Sequence, residues 1–421
     1  MSHALDSALD EARARELKRA VRALLRRPLL LKNADGADEF RLVRRHAAEL
    51  RSWFDANTGW RLQVDSEVAR LVKLAATHED ASHPAREPRT HLPFGRRRYV
   101  LICLALCVLE RADAQITLGS LAEGVILAAG DERLARAGVS FRLSGREERG
   151  DLVAVVRLLL ELGVLARVAG DEEAFVREAG DALYDVERRV LAVLVASPRG
   201  PSTIAASDFE SRLEQLSAEP LPGTEDLRNR AIRQRLTRRM LDDPVVYYDE
   251  LSPTELAYLT SQRAAMIKRI SELTGLVAEV RAEGIAMVDP KDELTDVRMP
   301  EIGTDGHVAL LITEYLAGRL AADDGGAQAG AARSMTAPPC AESELHALVR
   351  RLAGEHRAYW RRSTREPGAE VALVDHALER LEALRLVRRE PGAVHALAAL
   401  SRFALAAPNF PDAIPDRAAS A

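Results

Sequence analysis

Residues 152–168 read Leu-Val-Ala-Val-Val-Arg-Leu-Leu-Leu-Glu-Leu-Gly-Val-Leu-Ala-Arg-Val. Leu152, Val155, Val156, Leu159 and Leu160 recur at i, i+3, i+4, i+7 and i+8, which predicts a helix with one core-facing stripe. Gly163 fits the position just past the C-cap, where left-handed backbone is needed. Val164 to Val168, a turn at Gly170-Asp171, and Ala174-Phe175-Val176 then read as a hairpin. Two helices are predicted upstream. Arg97 to Arg111 is apolar on nearly all sides and is expected to be buried. A shorter helix, capped by Thr117, carries Leu118, Leu121, Ala122, Val125 and Ile126. Three helices followed by a two-stranded ribbon is the winged-helix order, a variant of the helix-turn-helix.

The same order recurs downstream. Helices are predicted from about Thr304 to Arg319, from Glu342 to Leu352, and through Val374, Leu378, Leu381 and Leu384. A hairpin follows: Leu386 to Glu390, turn Pro391-Gly392, Ala393 to Leu397. Leu162-Gly163-Val164-Leu165-Ala166-Arg167 matches Leu384-Arg385-Leu386-Val387-Arg388-Arg389 in kind, at an offset of 222 residues (384 − 162). That is too long for a solenoid repeat and points to two copies of one domain around an insertion. The expected fold class is mainly α with short β-hairpins (α+β). The expected domains are an N-terminal helical region (1–92), a first winged helix (93–195), a middle insertion (196–303), a second winged helix (304–407) and a flexible tail (408–421).

Within the N-terminal region, residues 4–31, with Pro28 interrupting the pattern, and Asp38 to Phe54 read as amphipathic helices, and Trp60 to Val64 as a short strand. Residues 77–95 lack any period and read as a loop. Residues 197–224 and the Gly/Ala-rich stretch 321–340 read as surface loops, the latter mobile. Ser252-Pro253-Thr254-Glu255 is a helix start with Ser252 as cap, Pro253 at the first helical position and Glu255 completing a capping box. Leu276 to Val280, Ile285 to Val288 and Leu294 to Met299 are strand candidates.

Composition removes several function classes. The 421 residues are 47% hydrophobic and 29% charged, a globular balance. With 59 basic and 64 acidic side chains the net charge is −5, so no bulk positive charge draws in nucleic acid. Three cysteines without a C-x-x-C pair leave no disulfide framework or four-thiolate zinc site. No apolar run is long enough to cross a bilayer and no secretory h-region is visible, so a soluble, cytoplasmic protein with no membrane partner is expected. Only five basic residues are lysine (Lys18, Lys32, Lys73, Lys268, Lys291), so arginine enrichment reflects general usage as much as function.

Reactive constellations are missing. There is no Gly-Lys dipeptide and hence no P-loop, no G-x-G-x-x-G, no G-x-S-x-G and no H-E-x-x-H; His356 is followed by Arg-Ala-Tyr-Trp. Cys103 and Cys107 share a helix face, the arrangement of small core residues more than of a metal site. His78, His83 and His91 lie in a polar loop without ligand spacing. Asp289, Asp292, Glu293, Asp296 and Glu301 form an acidic cluster, but Lys291 sits in a turn and no acid-x-Lys dyad follows. No catalytic residue, metal or cofactor is expected, and the chain reads as a non-enzyme.

Three basic clusters remain. Arg96, Arg97 and Arg98 open a helix, the wrong end for cations, which hints at an acidic partner. Arg385, Arg388 and Arg389 lie at the base and first strand of the second wing, where a DNA backbone can be touched. These six are the DNA-contact candidates. Arg228, Arg230, Arg233, Arg235, Arg238 and Arg239 spread around one helix and coat it. The helices preceding the two hairpins carry Asp151 and Glu161, or Asp375, Glu379 and Glu382, a poor complement to a major groove.

Several ordered runs carry a resemblance. They are Phe40-Arg41-Leu42-Val43-Arg44-Arg45-His46, Leu50-Arg51-Ser52-Trp53-Phe54, Gly59-Trp60-Arg61-Leu62 and Arg70-Leu71. Pro93-Phe94, Arg97-Arg98-Tyr99-Val100-Leu101, Leu104-Ala105-Leu106, Leu109-Glu110-Arg111 and Gln115-Ile116-Thr117-Leu118 continue them, followed by Ala182-Leu183-Tyr184-Asp185-Val186 and Thr295-Asp296-Val297-Arg298. Together they resemble the B-subunit family of the Wadjet plasmid-defence systems, MukE-like accessory proteins that act beside an SMC-type ATPase, a kleisin and a toprim nuclease. The similarity covers most of residues 15–320; the last hundred residues match by pattern only. It implies tandem winged-helix (KITE) domains, a homodimer, a kleisin partner, contact with the SMC-type ATPase through the complex, and non-specific engagement of the DNA backbone, with cutting left to another subunit. Two other classes fit parts of the chain. A free-standing winged-helix transcription regulator would protect a palindromic site alone. A metal-dependent nuclease would centre on Asp289 and Asp296.

Overall fold

A computed structural model of the protein describes residues 2–74, 83–196, 200, 203–217, 223–324 and 338–403. The fold is mainly helical, with four small three-stranded antiparallel sheets. It divides into two compact units, Met1–Thr237 with Lys268–Gly275, and Arg238–Ile267 with Leu276–Ala421.

One arrangement of elements occurs four times along the chain. The first block is α1 (Ser2–Arg26), β1 (Leu29–Leu31), α2 (Ala37–Arg45), α3 (Ala47–Asn57), β2 (Arg61–Val64) and β3 (Val68–Val72). The second is α4 (Arg96–Arg111), β4 (Gln115–Thr117), α5 (Leu118–Ala129), the short α6 (Glu132–Arg136), α7 (Arg146–Glu161), β5 (Leu165–Gly170), α8 (Glu172–Val176) and β6 (Ala182–Val186). Two connecting helices follow, α9 (Arg188–Val195) and α10 (Phe209–Ser217). The third block is α11 (Glu225–Asp242), β7 (Val246–Tyr247), α12 (Pro253–Thr274), β8 (Val277–Val280) and β9 (Gly284–Val288). The fourth is α13 (Thr304–Asp324), β10 (Cys340–Ala341), α14 (Glu342–Glu355), α15 (Ala369–Ala383), β11 (Val387–Glu390) and β12 (Ala393–Ala396). The sheet orders are β1-β3-β2, β4-β6-β5, β7-β9-β8 and β10-β12-β11. In every block the strand after the first helix joins the outer edge of the closing hairpin. This is winged-helix connectivity, complete in blocks one, two and four and one helix short in block three. Sequence periodicity predicts it only for the second and fourth.

Several local readings are corrected. The helix read over 4–31 ends at Arg26 because Pro28 follows, and Leu29–Leu31 pair with Val68–Arg70 instead. The single helix read over 38–54 is two, broken at His46, whose Nε2 lies 3.0 Å from Glu16 Oε2. Ala174–Val176 is helical: Asp171 Oδ1 accepts the Glu173 N–H (3.2 Å), two glutamates fill the first turn, and the returning strand is Ala182–Val186. Leu294–Met299 is not a strand, because Asp289 Oδ2 accepts the N–H groups of Glu293 and Leu294 (2.8 and 2.9 Å) and holds a turn. Helix α4 is not buried all round. It packs through Leu101, Ala105 and Leu109 against α5, α7 and α9, leaving Cys103 and Cys107 exposed on its other face. The caps at Thr117 and Ser252 are present as read, with Thr117 Oγ1 taking the Ser120 N–H and Ser252 and Glu255 bonded reciprocally. Most of 321–340 (residues 325–337), parts of 197–224 (197–199, 201–202 and 218–222), the tail 408–421 and His78 lie outside the described residues.

The core of the second block gathers Leu101, Ala105 and Leu109 of α4, Leu121 and Val125 of α5, and Leu152 to Val156 of α7. Leu29 and Leu31 of β1 also pack on it, so the first two blocks share a core within the first unit. The core of the fourth block joins Val308 and Ile312 of α13, Leu345 and Val349 of α14, and Val374, Leu378 and Leu381 of α15. Inside the second wing-bearing block, Glu172 is 3% exposed yet doubly satisfied: Tyr184 Oη donates to Oε1 (2.8 Å) and Arg167 Nε donates to the same carboxylate (3.0 Å). Burial pushes the Tyr184 phenol up, and its bond to Glu172 adds to that. Tyr184→Phe is expected to destabilise the first unit by about 1.5–3 kcal/mol, the net worth of a hydrogen bond to a charged group. Urea denaturation with an unchanged m-value checks it.

Candidate functional site

Five of the six arginines predicted to touch DNA, all but Arg388, are held by the chain's own acceptors. Arg96 Nη2 donates to the Ala137 carbonyl at 3.0 Å. Arg97 Nη1 bridges Glu147 and Asp151, 3.0 Å from each, and Arg98 Nε lies 2.8 Å from the second oxygen of Asp151. The Asp151 bond, with Glu147 beyond it, raises the Arg97 pKa against a small cost of burial. The acidic partner that these cations require at a helix N-terminus is thus supplied by α7.

In the second wing, Arg389 Nη2 is 2.9 Å from Asp375 of α15 and 3.1 Å from Glu342 of α14. Arg388 is exposed, with Glu390 at 3.8 Å. Arg385 closes a ring of alternating charge: it reaches Asp243 (3.1 Å) and Glu250 (2.5 Å), and Arg239 reaches the same two carboxylates at 2.9 and 2.6 Å. Burial opposes the charge on Arg239, and Asp243 and Glu250 overcome it, raising its pKa. Tyr247 Oη donates to the Arg385 carbonyl at 2.7 Å, tying β7 to the base of the wing.

Of the third helices, which read bases in a DNA-binding helix-turn-helix, α7 is largely covered and α3 is held at its end. In α7 the run Leu152 to Val156 is buried without interruption, and Arg157 is clamped between Glu87 (3.1 Å) and Glu173 (2.6 Å). The end of α3 is taken by α11: Arg230 Nη2 lies 2.8 Å from Asp55 Oδ2, Arg233 donates to the Ala56 carbonyl (3.1 Å) and Gln234 to the Asp55 carbonyl (2.6 Å). On α15 the exposed positions include Val371, Ala372, His376 and Glu379. None is a residue that commonly reads a base edge in a major groove, apart from the acid.

The other constellations hold turns. Asp289 caps its own turn, Arg86 donates to the His91 carbonyl, and no group of three or more His, Cys, Asp or Glu side chains able to hold a metal occurs among the described residues. No helix among them is long and apolar enough to cross a membrane.

One concave feature has no counterpart in the sequence reading. A groove of about 340 Å³ runs beside the start of α13 and is lined by Thr304, His307, Leu310, Tyr359 and Trp360. Trp360 is 5% exposed. Its indole Nε1–H donates to His307 Nδ1 at 3.1 Å, so the neutral His307 carries its proton on Nε2. The His356 ring stacks on Trp360 (5.4 Å between centroids) and stands 4.9 Å from His307. Burial, and then His356, lower the His307 pKa below its ordinary 6.5. The folded chain therefore binds this proton more weakly than the unfolded one. Its contribution to stability is complete above about pH 6.5 and falls as pH drops through the lowered folded value. Trp360 emission, in a Trp53→Phe/Trp60→Phe background, is expected to hold steady from pH 8 to 6.5 and to shift red below; His307→Ala removes that step. The Tyr-Trp pair inside an Arg-rich run, in a chain with only three tryptophans, was the available signal.

The chain belongs to the family described as Protein of unknown function (DUF2398), whose model matches residues 21–406. No curated protein and no solved structure matches it.

Proposed function

We propose that this chain is a non-catalytic, MukE-like KITE subunit of a bacterial SMC-type DNA-extruding complex. In this reading it binds a kleisin, contacts the SMC-type ATPase through the complex and supports backbone engagement of DNA in anti-plasmid defence. The observation that carries the reading is the covering of α7 and of the end of α3. Winged-helix connectivity recurs along the chain, yet the core-facing run of α7 is buried and the end of α3 is held by α11, so the first two blocks are suited to protein contact more than to base readout. The ordered runs shared with Wadjet B subunits support the same role. A homodimer belongs to the proposal. Its natural surface includes the exposed Cys103 and Cys107 of α4 and Leu127 of α5, which is 82% exposed.

Light scattering on the purified chain is expected to give the mass of two copies, and Leu127→Arg to give one. A monomeric wild-type chain removes the dimer from the proposal. The role itself is tested in cells carrying the gene with its neighbours. Deletion of this chain is expected to restore plasmid maintenance as fully as deletion of the ATPase, and unchanged plasmid loss after deletion contradicts the proposal.

A further inference from the structure

The turn between α14 and α15, residues 356–366, combines an arginine cluster with an exposed aromatic side chain. It holds Arg357, Arg361, Arg362 and Arg365 within nine residues, with Glu366 as the one acid. Arg361 is committed internally. Its guanidinium forms a two-pronged pair with Asp305 (2.8 Å each), and its N–H donates to Thr304 Oγ1 (3.2 Å). Those bonds pin the turn to the start of α13. Trp360 adds the buried indole bond to His307, and Thr364 Oγ1 donates to the Arg361 carbonyl at 2.8 Å. The backbone of the turn is therefore set before any ligand arrives.

The other three arginines point a different way. Among the described residues, no carboxylate lies within 4 Å of Arg357, Arg362 or Arg365, and all three are exposed. Arg365 donates one N–H to the Arg357 carbonyl and keeps the rest of its fork available. This contrasts with Arg97, Arg98, Arg385 and Arg389, each matched to acids of the same chain. Tyr359, 87% exposed on the same rigid turn, stands at the rim of the groove beside His307. A large aromatic held in water on a pinned turn, flanked by unmatched guanidinium groups, is the surface that receives a phosphodiester backbone: forks for the phosphates and a phenol for a phosphate or sugar oxygen.

We propose that this turn is a duplex-DNA backbone contact, with Arg357, Arg362 and Arg365 on phosphates and Tyr359 between them. The inference rests on the reading of the chain as a DNA-handling subunit and places its DNA contact at the helix-turn-helix turn of the fourth block, away from the wing. Because the exposed face of α15 offers no arginine, lysine or amide beside the turn, the contact is independent of base sequence.

The test uses the full chain, as wild type, as R357E/R362E/R365E and as R357Q/R362Q/R365Q, with fluorescence anisotropy on a labelled 30-base-pair duplex between about 50 and 200 mM salt. Both variants are expected to bind at least tenfold more weakly at the upper salt, and to show a log–log salt slope shallower by about 2–3, the counterions released by three phosphate contacts. Unchanged affinity and slope in both variants overturn the proposal, as does a wild-type chain that binds no duplex. Co-purification with the gene-neighbour partners is measured on the same proteins. Variants that keep DNA affinity but lose those partners make the turn a protein surface and also overturn it. A wild-type chain that binds duplex through this turn but captures no partner overturns the functional reading and leaves the turn's assignment standing.

Discussion

Arg385→Ala is expected to destabilise the second unit by about 2–4 kcal/mol, more than any other exposed-wing substitution. Arg385 is where two constraints meet. Its backbone is left-handed (φ +54°), a conformation that costs a side-chain-bearing residue roughly 1 kcal/mol or more. Its guanidinium is the second cation of the ring with Asp243, largely shielded from water, and the more exposed Glu250. Truncation leaves Arg239 alone with two carboxylates, and an uncompensated buried charge is the costly outcome. Alanine keeps the backbone strain, whereas Arg385→Gly removes it. The glycine variant is therefore expected to be about 1 kcal/mol more stable than the alanine variant while remaining below wild type. Hydrogen exchange of peptides spanning 243–250 and 385–396 checks this. Equal protection in Ala, Gly and wild type would make the ring irrelevant to stability.

Gly163→Ala is expected to cost the first unit about 2–4 kcal/mol. Gly163 occupies the same place as Arg385. Val164 N–H bonds to the Leu159 carbonyl and Leu386 N–H to the Leu381 carbonyl, both at 2.9 Å, and each turn residue is left-handed. The neighbours differ. A Cβ on Gly163 would stand 2.2 Å from Leu31 Cδ1, inside the core that β1 shares with the second block. The cost combines about 1 kcal/mol for the backbone with 1–3 for overpacking. Leu31→Ala in the same chain is expected to return the overpacking part and not the backbone part, a positive coupling that a double-mutant cycle measures. Additive effects would place Leu31 elsewhere in solution.

These two positions also show what the sequence made legible. The 163/385 correspondence is visible as a shared local pattern, because a helix stripe and its stop signal lie within about ten residues. The core stripes of α7 and α15 follow from 3.6-residue periodicity for the same reason. The first strands of the blocks, two or three residues each, are too short to show a period. Leu29–Leu31 becomes a strand only by pairing with Val68–Arg70, and Val246–Tyr247 only by pairing with Gly284–Ile285. That is why the first and third blocks read as a helical region and an insertion. Arginine roles were less legible still. The partners of Arg385 stand far upstream at Asp243 and Glu250, and those of Arg97 and Arg98 on α7, so a charge cluster in sequence says nothing about whether it is already matched. The turn at 356–366 stood out only once its arginines could be compared with matched ones. The family model spanning residues 21–406 covers nearly all four blocks.

The adaptor role is tested most directly by co-expressing the full chain with the proteins encoded beside its gene and purifying through a tag on this chain. The account predicts a stoichiometric assembly with a kleisin and an SMC-type ATPase that survives moderate salt. Recovery of the chain alone, with those neighbours folded and present in the same lysate, would contradict it.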